Sequence, residues 1–397
     1  MTSTAFDPEA PLPGPPGPWA STDTPSGRSG PPYHMTEMIA AEPALARRVL
    51  ERLSSRDGGA AALARSILAA VRDGRPVVVT GCGTSEHGAL GFVEIVVEAL
   101  RTANEPSGLP VAVQAFELAL DPPSKALVIG ISHEGSTWAT NNALEAAKSA
   151  GSEVAIVTAS DRSPGAAIAT IVVTTEEIDQ SWCHTIGYLA PLLAAAAVGG
   201  FIAPDQPSGP DVIEALLRPT PAQDEAIEAA AAAIAGRGHV IVLGTGADRV
   251  AGRELTLKIE EGSWIPSAYR DLETFLHGHL PATGDATGLV LIAADRRAVA
   301  ARVDRARQAL AAAAEIGVAW VVIGTAAARS AVGDRPSVPF VEVADASELP
   351  AAQAALFATT APLQLLTERI SRARGTNPDP IRRDDPRYAA AAKHIEG

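Results

Sequence analysis

Pro76-Val-Val-Val-Thr-Gly81-Cys-Gly-Thr-Ser-Glu-His87 is the stretch whose reading decides the fold. Three valines after a proline read as a short buried strand, and Gly81-Cys-Gly83 as a tight turn feeding a helix over residues 89–100. Further short apolar strands are expected at 111–116, 126–131 and 153–158, each separated from the last by a helical stretch, and residues 35–71 upstream carry apolar residues at helical spacing. Strands alternating with helices predict an α/β fold with a doubly wound parallel sheet. After a Pro/Gly-rich break from Pro204 to Pro221 the order repeats, with strands at 239–243, 288–293 and 318–323. Two copies of one unit follow, the first domain over 34–210 and the second over 211–375. A Pro/Gly-rich segment, 1–33, reads as a mobile tail, and the polar segment 376–397 reads as disordered unless it docks over a site.

The chain has 397 residues, 47% apolar and only 4% aromatic, so aliphatic side chains must fill two sizeable cores. A net charge of -14 argues against nucleic acid as a partner. Cys82 and Cys183 are isolated thiols, which suits a reducing cytosol. No signal peptide is read, and the longest apolar run, 189–203, is interrupted by Pro191 and Gly199-Gly200 and is too short to span a bilayer. No membrane partner and a cytoplasmic location are the expectations.

Chemistry concentrates in Glu254-Leu-Thr-Leu-Lys258-Ile-Glu-Glu261. As a helix it puts Leu255 and Ile259 on one apolar face, with Glu254, Lys258 and Glu261 as a polar stripe beside it. Such a stripe on a surface is an ion pair worth about 0.2 to 0.5 kcal/mol and no more. Lysine usage argues for more. Of 32 basic residues only Lys125, Lys148, Lys258 and Lys393 are lysines, and lysine, unlike arginine, can lose its proton when desolvated and form a Schiff base. Gly81-Cys-Gly-Thr-Ser85 sits where a strand meets a helix, a position that favours an anion. The third glycine of a dinucleotide fingerprint is replaced by Glu86, and by Arg249 in the second copy, so no nucleotide cofactor is expected. Thr84 and Ser85 offer hydroxyls instead, either to a phosphate or merely to cap the helix. His277-Gly-His279 has no cysteine or carboxylate at ligand spacing, so no metal is expected there.

Taken with Tyr33-His-Met-Thr-Glu-Met-Ile-Ala-Ala-Glu-Pro43 and Ser132-His-Glu-Gly-Ser-Thr137, these stretches resemble, in the same order, the sugar isomerase (SIS) family, and within it the isomerase half of glucosamine-6-phosphate synthase. The resemblance runs from about His34 to the C-terminus. It implies two tandem SIS domains, a sugar or sugar phosphate as small-molecule substrate, no cofactor, and isomerisation through an enediol or enolamine. It implies Glu261 as the proton shuttle between carbons, Lys258 as stabiliser of charge on oxygen, and His277 as the ring opener, entering from the neighbouring subunit of a homodimer with shared active sites. Lys393 is similar to a lysine that closes over the sugar, though two extra residues separate it from Pro386-Arg387. Thr84, Ser85, Ser132, His133 and Thr137 would hold phosphate, and His184 would touch the sugar. A cysteine-initiated glutaminase domain is not read in this sequence, so glutamine hydrolysis is not expected.

One departure bears on the substrate. Glu134 stands where the family's phosphate loop has a serine, and a carboxylate there would repel a phosphate by a few kcal/mol, roughly, unless it turns away or meets a cation. Either the remaining hydroxyls hold a phosphate, or Glu134 binds a hydroxyl or amine. Beside an isomerase, the sequence thus allows a deglycase or deaminase of a fructosamine 6-phosphate, or a sugar-phosphate sensor without chemistry. Turnover of fructose 6-phosphate against fructose in the parent and in Glu134→Ser separates the ligand readings: a phosphate-binding loop predicts a larger preference for the phosphate in the variant, and indifference to phosphate in both contradicts it.

Overall fold

The computed structural model describes residues 6–21, 27–28, 30–105, 108–206, 209–333 and 338–395. The valine run becomes β1 (Val77–Gly81), buried at every residue. With β2 (Val111–Gln114), β3 (Leu127–Ile131), β4 (Glu153–Thr158) and β5 (Ile171–Thr174) it forms a sheet in the order β2-β1-β3-β4-β5. The second sheet repeats that order as β7-β6-β8-β9-β10, from β6 (His239–Gly244), β7 (Ser267–Asp271), β8 (Thr287–Ala293), β9 (Ala319–Gly324) and β10 (Phe340–Glu342). All pairings are parallel. In this order the chain reverses its winding between β1 and β3, which opens a crevice at the carboxyl ends of those strands. Gly81 and Gly83 permit the turn there. A Cβ on Gly81 would lie 2.5 Å from the Ser85 carbonyl oxygen, and Gly83 has a φ of +56°.

The sequence reading misses β5, β7 and β10, all edge strands. Edge strands need no continuous apolar run, and Ser267–Asp271 is half-buried throughout. The strand expected over 111–116 stops at Gln114, because the Gln114 side chain accepts the N–H groups of Phe116 and Glu117 and so starts the helix Ala115–Leu120. Residues 35–71 form two helices, His34–Leu53 and Gly59–Arg72. All but the last residue of the interrupted run at 189–203 lies in one buried helix, Ile186–Ile202, which continues through Pro191 and Gly199-Gly200. Its proline packs against Gly88 of the helix Thr84–Thr102, where a Cβ would stand 2.6 Å from Pro191 Cγ. Among the described residues no helix is long and apolar enough to cross a membrane.

Parts of both terminal segments are docked on the body of the chain. Leu12 is buried, its N–H donates to Glu177 Oε2 at 2.9 Å, and the Pro13 carbonyl accepts from the Ile178 N–H at 2.9 Å. This corrects the expectation of a mobile segment around residues 12–13; residues 1–5, 22–26 and 29 of that segment lie outside the described residues. The Asp379 carboxylate accepts the N–H groups of His34 and Met35, each at 2.9 Å, capping the first helix from the other end of the chain. Tyr33 donates to the Thr376 carbonyl at 3.1 Å, and Thr376 Oγ1 to the Gly262 carbonyl at 2.8 Å. Residues 376–379 are therefore ordered by polar contacts that composition does not reveal. The last two residues of the C-terminal segment, 396–397, are not among those described.

Glu42, on the first helix, is fully buried, and neither carboxyl oxygen meets a hydrogen-bond partner among the described residues. Burial pushes its pKa well above the usual carboxylate range; the neighbouring Gln364 opposes the shift and Asp179 adds to it. The folded chain then holds a proton that the unfolded chain releases, so stability declines as pH rises above the unfolded carboxylate value. Glu42→Gln should remove that decline. Urea unfolding should find parent and variant alike below about pH 4 and the variant more stable by about 1–3 kcal/mol near pH 8; equal stabilities at the higher pH contradict the assignment.

Candidate active site

The segment Asp248–Ser263 is helical, as its spacing predicts. Leu255 and Ile259 pack into the core, but the polar stripe beside them is not solvated. Glu254 and Lys258 are fully buried as well. Lys258 Nζ donates to Glu261 Oε2 and stands 3.6 Å from Glu254 Oε1. Burial alone would drive the ammonium to release its proton, yet the Glu261 and Glu254 carboxylates outweigh it and hold the Lys258 pKa above the ordinary lysine value. The Schiff-base chemistry for which lysine scarcity made Lys258 a candidate finds no support in this geometry, because its Nζ is engaged by two carboxylates. Glu254 Oε2 lies 2.7 Å from His87 Nδ1, and Thr84 Oγ1 lies 3.5 Å from the other oxygen. Burial would raise the Glu254 pKa; Lys258 and His87 reverse that and hold it below its ordinary value.

Glu261, with 21% of its side chain exposed, opens into a cleft of about 710 Å³. The cleft lies at the crevice beyond β1 and β3. Thr84 and Ser85 line it from the start of the helix Thr84–Thr102, and Glu134 and Thr137 line it from the loop that ends at the helix Trp138–Ser149. Two helix amino-termini thus face the cavity, each equivalent to about half a positive charge. The corresponding place in the second domain is filled by protein. There the Asp248 carboxylate accepts the N–H groups of Ala294 and Asp295 at 3.1–3.2 Å, and Asp295 accepts that of Ala247 and pairs with Arg297.

His133 and His184 line the same cleft with ring centroids 5.5 Å apart. His133 Nε2 accepts the Asp179 N–H at 2.9 Å, which fixes a neutral ring with its hydrogen on Nδ1. Burial, with the neighbouring His184 adding to it, lowers the His133 pKa to about 4. His184 differs: burial would lower its pKa, but the Asp179 carboxylate, 3.6 Å from Nδ1, raises it. Asp179 is buried and accepts the N–H groups of Ser181, Thr185 and Gly187 at 3.0, 2.6 and 3.2 Å. Against burial, these contacts and His184 bring its pKa down to about 2.

Of the residues singled out from the sequence, Thr84, Ser85, His133, Glu134, Thr137, His184 and Glu261 meet in the cleft. Lys258 stands behind Glu261. Ser132 does not face the cavity: it is buried, its hydroxyl accepts the Gly135 N–H at 3.2 Å and lies 3.3 Å from Thr137 Oγ1, so it braces the loop. His277 lies on the surface of its own chain, 71% exposed, 2.8 Å from Glu273 and 3.3 Å from an Arg305 nitrogen. Lys393 is exposed at the end of the short helix Pro386–Ala392 and does not line the cleft, which the C-terminal segment reaches instead through Ile381, Arg383 and Ile395. Sequence reasoning missed His87, Asp179, Trp182 as a cleft wall, and Arg383. The only trace of Asp179 in the sequence is a carboxylate five residues before His184.

No family model matches the chain, and no curated protein matches its sequence. Solved structures do. The C-terminal domain of glucosamine-fructose-6-phosphate aminotransferase from Francisella tularensis superposes with a TM-score of 0.74 at 18% identity, over 89% of this chain and 99% of that one. Tagatose-6-phosphate ketose/aldose isomerase from Escherichia coli gives 0.65 at 16% identity, over 91% and 98%. Glucosamine-6-phosphate deaminase from Thermotoga maritima gives 0.60 at 17% identity, over 87% and 96%. The likeness is one of fold: two tandem α/β domains, each with a parallel five-stranded sheet.

The depressed Asp179 carboxyl contributes stability that is present above the unfolded carboxylate pKa and is lost as pH falls through about 2. Asp179→Asn should therefore cost about 2 kcal/mol near neutral pH in urea unfolding, and NMR titration should find the His184 pKa lowered in the variant. An unmoved His184 titration contradicts the pairing.

Proposed function

We propose that this chain is an aldose-ketose isomerase of the SIS type, acting on a phosphorylated hexose or aminosugar through an enediol or enolamine. The observation that carries this reading is Glu261: a carboxylate open to the cleft, held from behind by a fully buried ammonium. Carbon-to-carbon proton transfer needs a base that is ionised, fixed in direction and shielded from bulk water. Lys258 orients the Glu261 carboxylate through their ion pair, and its charge favours negative charge that develops on the sugar oxygens. Thr84, Ser85 and Thr137, with the two helix amino-termini, suit an anionic group at the other end of the sugar. The similar solved structures are named for enzymes of hexose 6-phosphates, which supports the same substrate class.

Ring opening falls to His277, supplied by a second copy in a homodimer, because within one chain it lies on the surface and outside the cleft. A soluble, cytoplasmic setting is part of the proposal. A second reading, cleavage of an amine from a fructosamine 6-phosphate through the same enolamine, is favoured by Glu134, whose carboxylate in the cleft suits an amino group. Both readings share the Glu261 step. In deuterated water, with hexose and aminosugar phosphates as a panel, NMR should find solvent deuterium entering C1 or C2 with the parent, and Glu261→Gln should slow entry about 100-fold or more. A parent that labels no sugar in the panel contradicts the isomerase and the deglycase together.

A further inference from the structure

The cleft proposed to hold a sugar phosphate is short of positive charge. Glu134 and Glu261 both line it. Lys258 lies behind the wall, engaged by two carboxylates, and the His133 ring is neutral by its hydrogen bonding. The helix amino-termini supply only partial charges. Among the described lining residues, Arg383 is the one side chain with a permanent positive charge.

Its position is built. The Arg383 guanidinium lies 4.4 Å from the centroid of the Trp182 ring, and Trp182 itself lines the cleft two residues before His184. The Trp182 N–H donates to the Asp379 carbonyl at 3.0 Å, so the tryptophan is tied to the segment that carries the arginine. Asp379 in turn is buried and caps the first helix through His34 and Met35. A guanidinium over an indole face keeps its N–H donors in its own plane, the arrangement that grips two oxygens of an oxyanion at once.

We propose that Arg383 is the specificity-determining residue of this cleft: with Trp182 as its platform, it supplies the cation that holds the phosphoryl group of the substrate beside Glu134. The proposal rests on the sugar-phosphate reading of the site and adds to it the residue that offsets the carboxylate in the loop. Glu134 then limits the pocket to ligands that Arg383 can grip.

The test is calorimetric titration of parent, Arg383→Ala and Arg383→Lys with inorganic phosphate, fructose 6-phosphate and fructose, the folded state of each protein being checked by thermal unfolding. Arg383→Ala should weaken phosphate and fructose 6-phosphate by about 10-fold or more while leaving fructose unchanged, and Arg383→Lys, which keeps the charge but not the fork, should fall between. If the alanine variant does not fold, the lysine variant decides alone: binding of phosphate equal to the parent's overturns the proposal. So does an alanine variant that binds phosphate within about twofold of the parent, or a parent that binds no phosphate. Deuterium exchange on the same samples separates the two claims. A parent that labels sugar while Arg383→Ala keeps full phosphate affinity removes only the role of Arg383; a parent that labels no sugar while Arg383→Ala loses phosphate removes only the isomerase.

Discussion

A fully buried ammonium constrains everything around it. Taking Lys258 out of water costs several kcal/mol, roughly, and is tolerable only with opposite charge in contact. Glu254 and Glu261 supply that charge from the same helix, one turn to either side. Glu254 in turn reaches His87 and Thr84 of the first domain, so one knot of charge joins the two domains and fixes the direction of the carboxylate that faces the cleft. Removing one partner of such a group costs about 3–5 kcal/mol, because the other charge is left buried and alone. Geometry at the site and adhesion between the domains thus share one set of atoms.

The C-terminal segment also lines the cleft. Asp379 caps the first helix, Thr376 bonds the end of the Lys258 helix at Gly262, and Arg382 lies over both Trp264 and Tyr388, at 4.6 and 4.1 Å from their ring centroids. These contacts bring Ile381, Arg383 and Ile395 to the cavity wall. The second domain's matching crevice is filled by Asp248 and the Asp295–Arg297 pair; under the proposed function the first repeat binds the sugar and the second supplies the base.

Legibility in the sequence follows the physics of each feature. Central strands were readable because a buried parallel strand must be apolar throughout, as Val77-Val-Val is; edge strands such as Ser267–Asp271 carry no such requirement. Thr84, Ser85, Glu134, Thr137 and Glu261 were readable because their stretches resemble a known family's motifs, and the structure brings these residues to one crevice. Ser132 is engaged within the loop, where its hydroxyl accepts the Gly135 N–H, a contact that motif spacing does not reveal. Asp179 and Arg383 could not be found, since their roles arise from long-range contacts, Asp179 with His133 and Arg383 with Trp182, that no periodicity encodes. The burial of Glu254 and Lys258 was hidden for a related reason: a charged stripe at helical spacing looks the same whether water or another domain lies over it.

The central claim is that Glu261, braced by Lys258, works on the carbons of a sugar bound in this cleft. A crystal structure with a stable mimic of a hexose-phosphate enediolate addresses it most directly. The account predicts a Glu261 oxygen within about 3.2 Å of the mimic's C1–C2 unit, Lys258 Nζ still on Glu261, and the phosphoryl group at the helix amino-termini. A mimic bound elsewhere, or bound here with Glu261 turned from it toward solvent, would contradict the account.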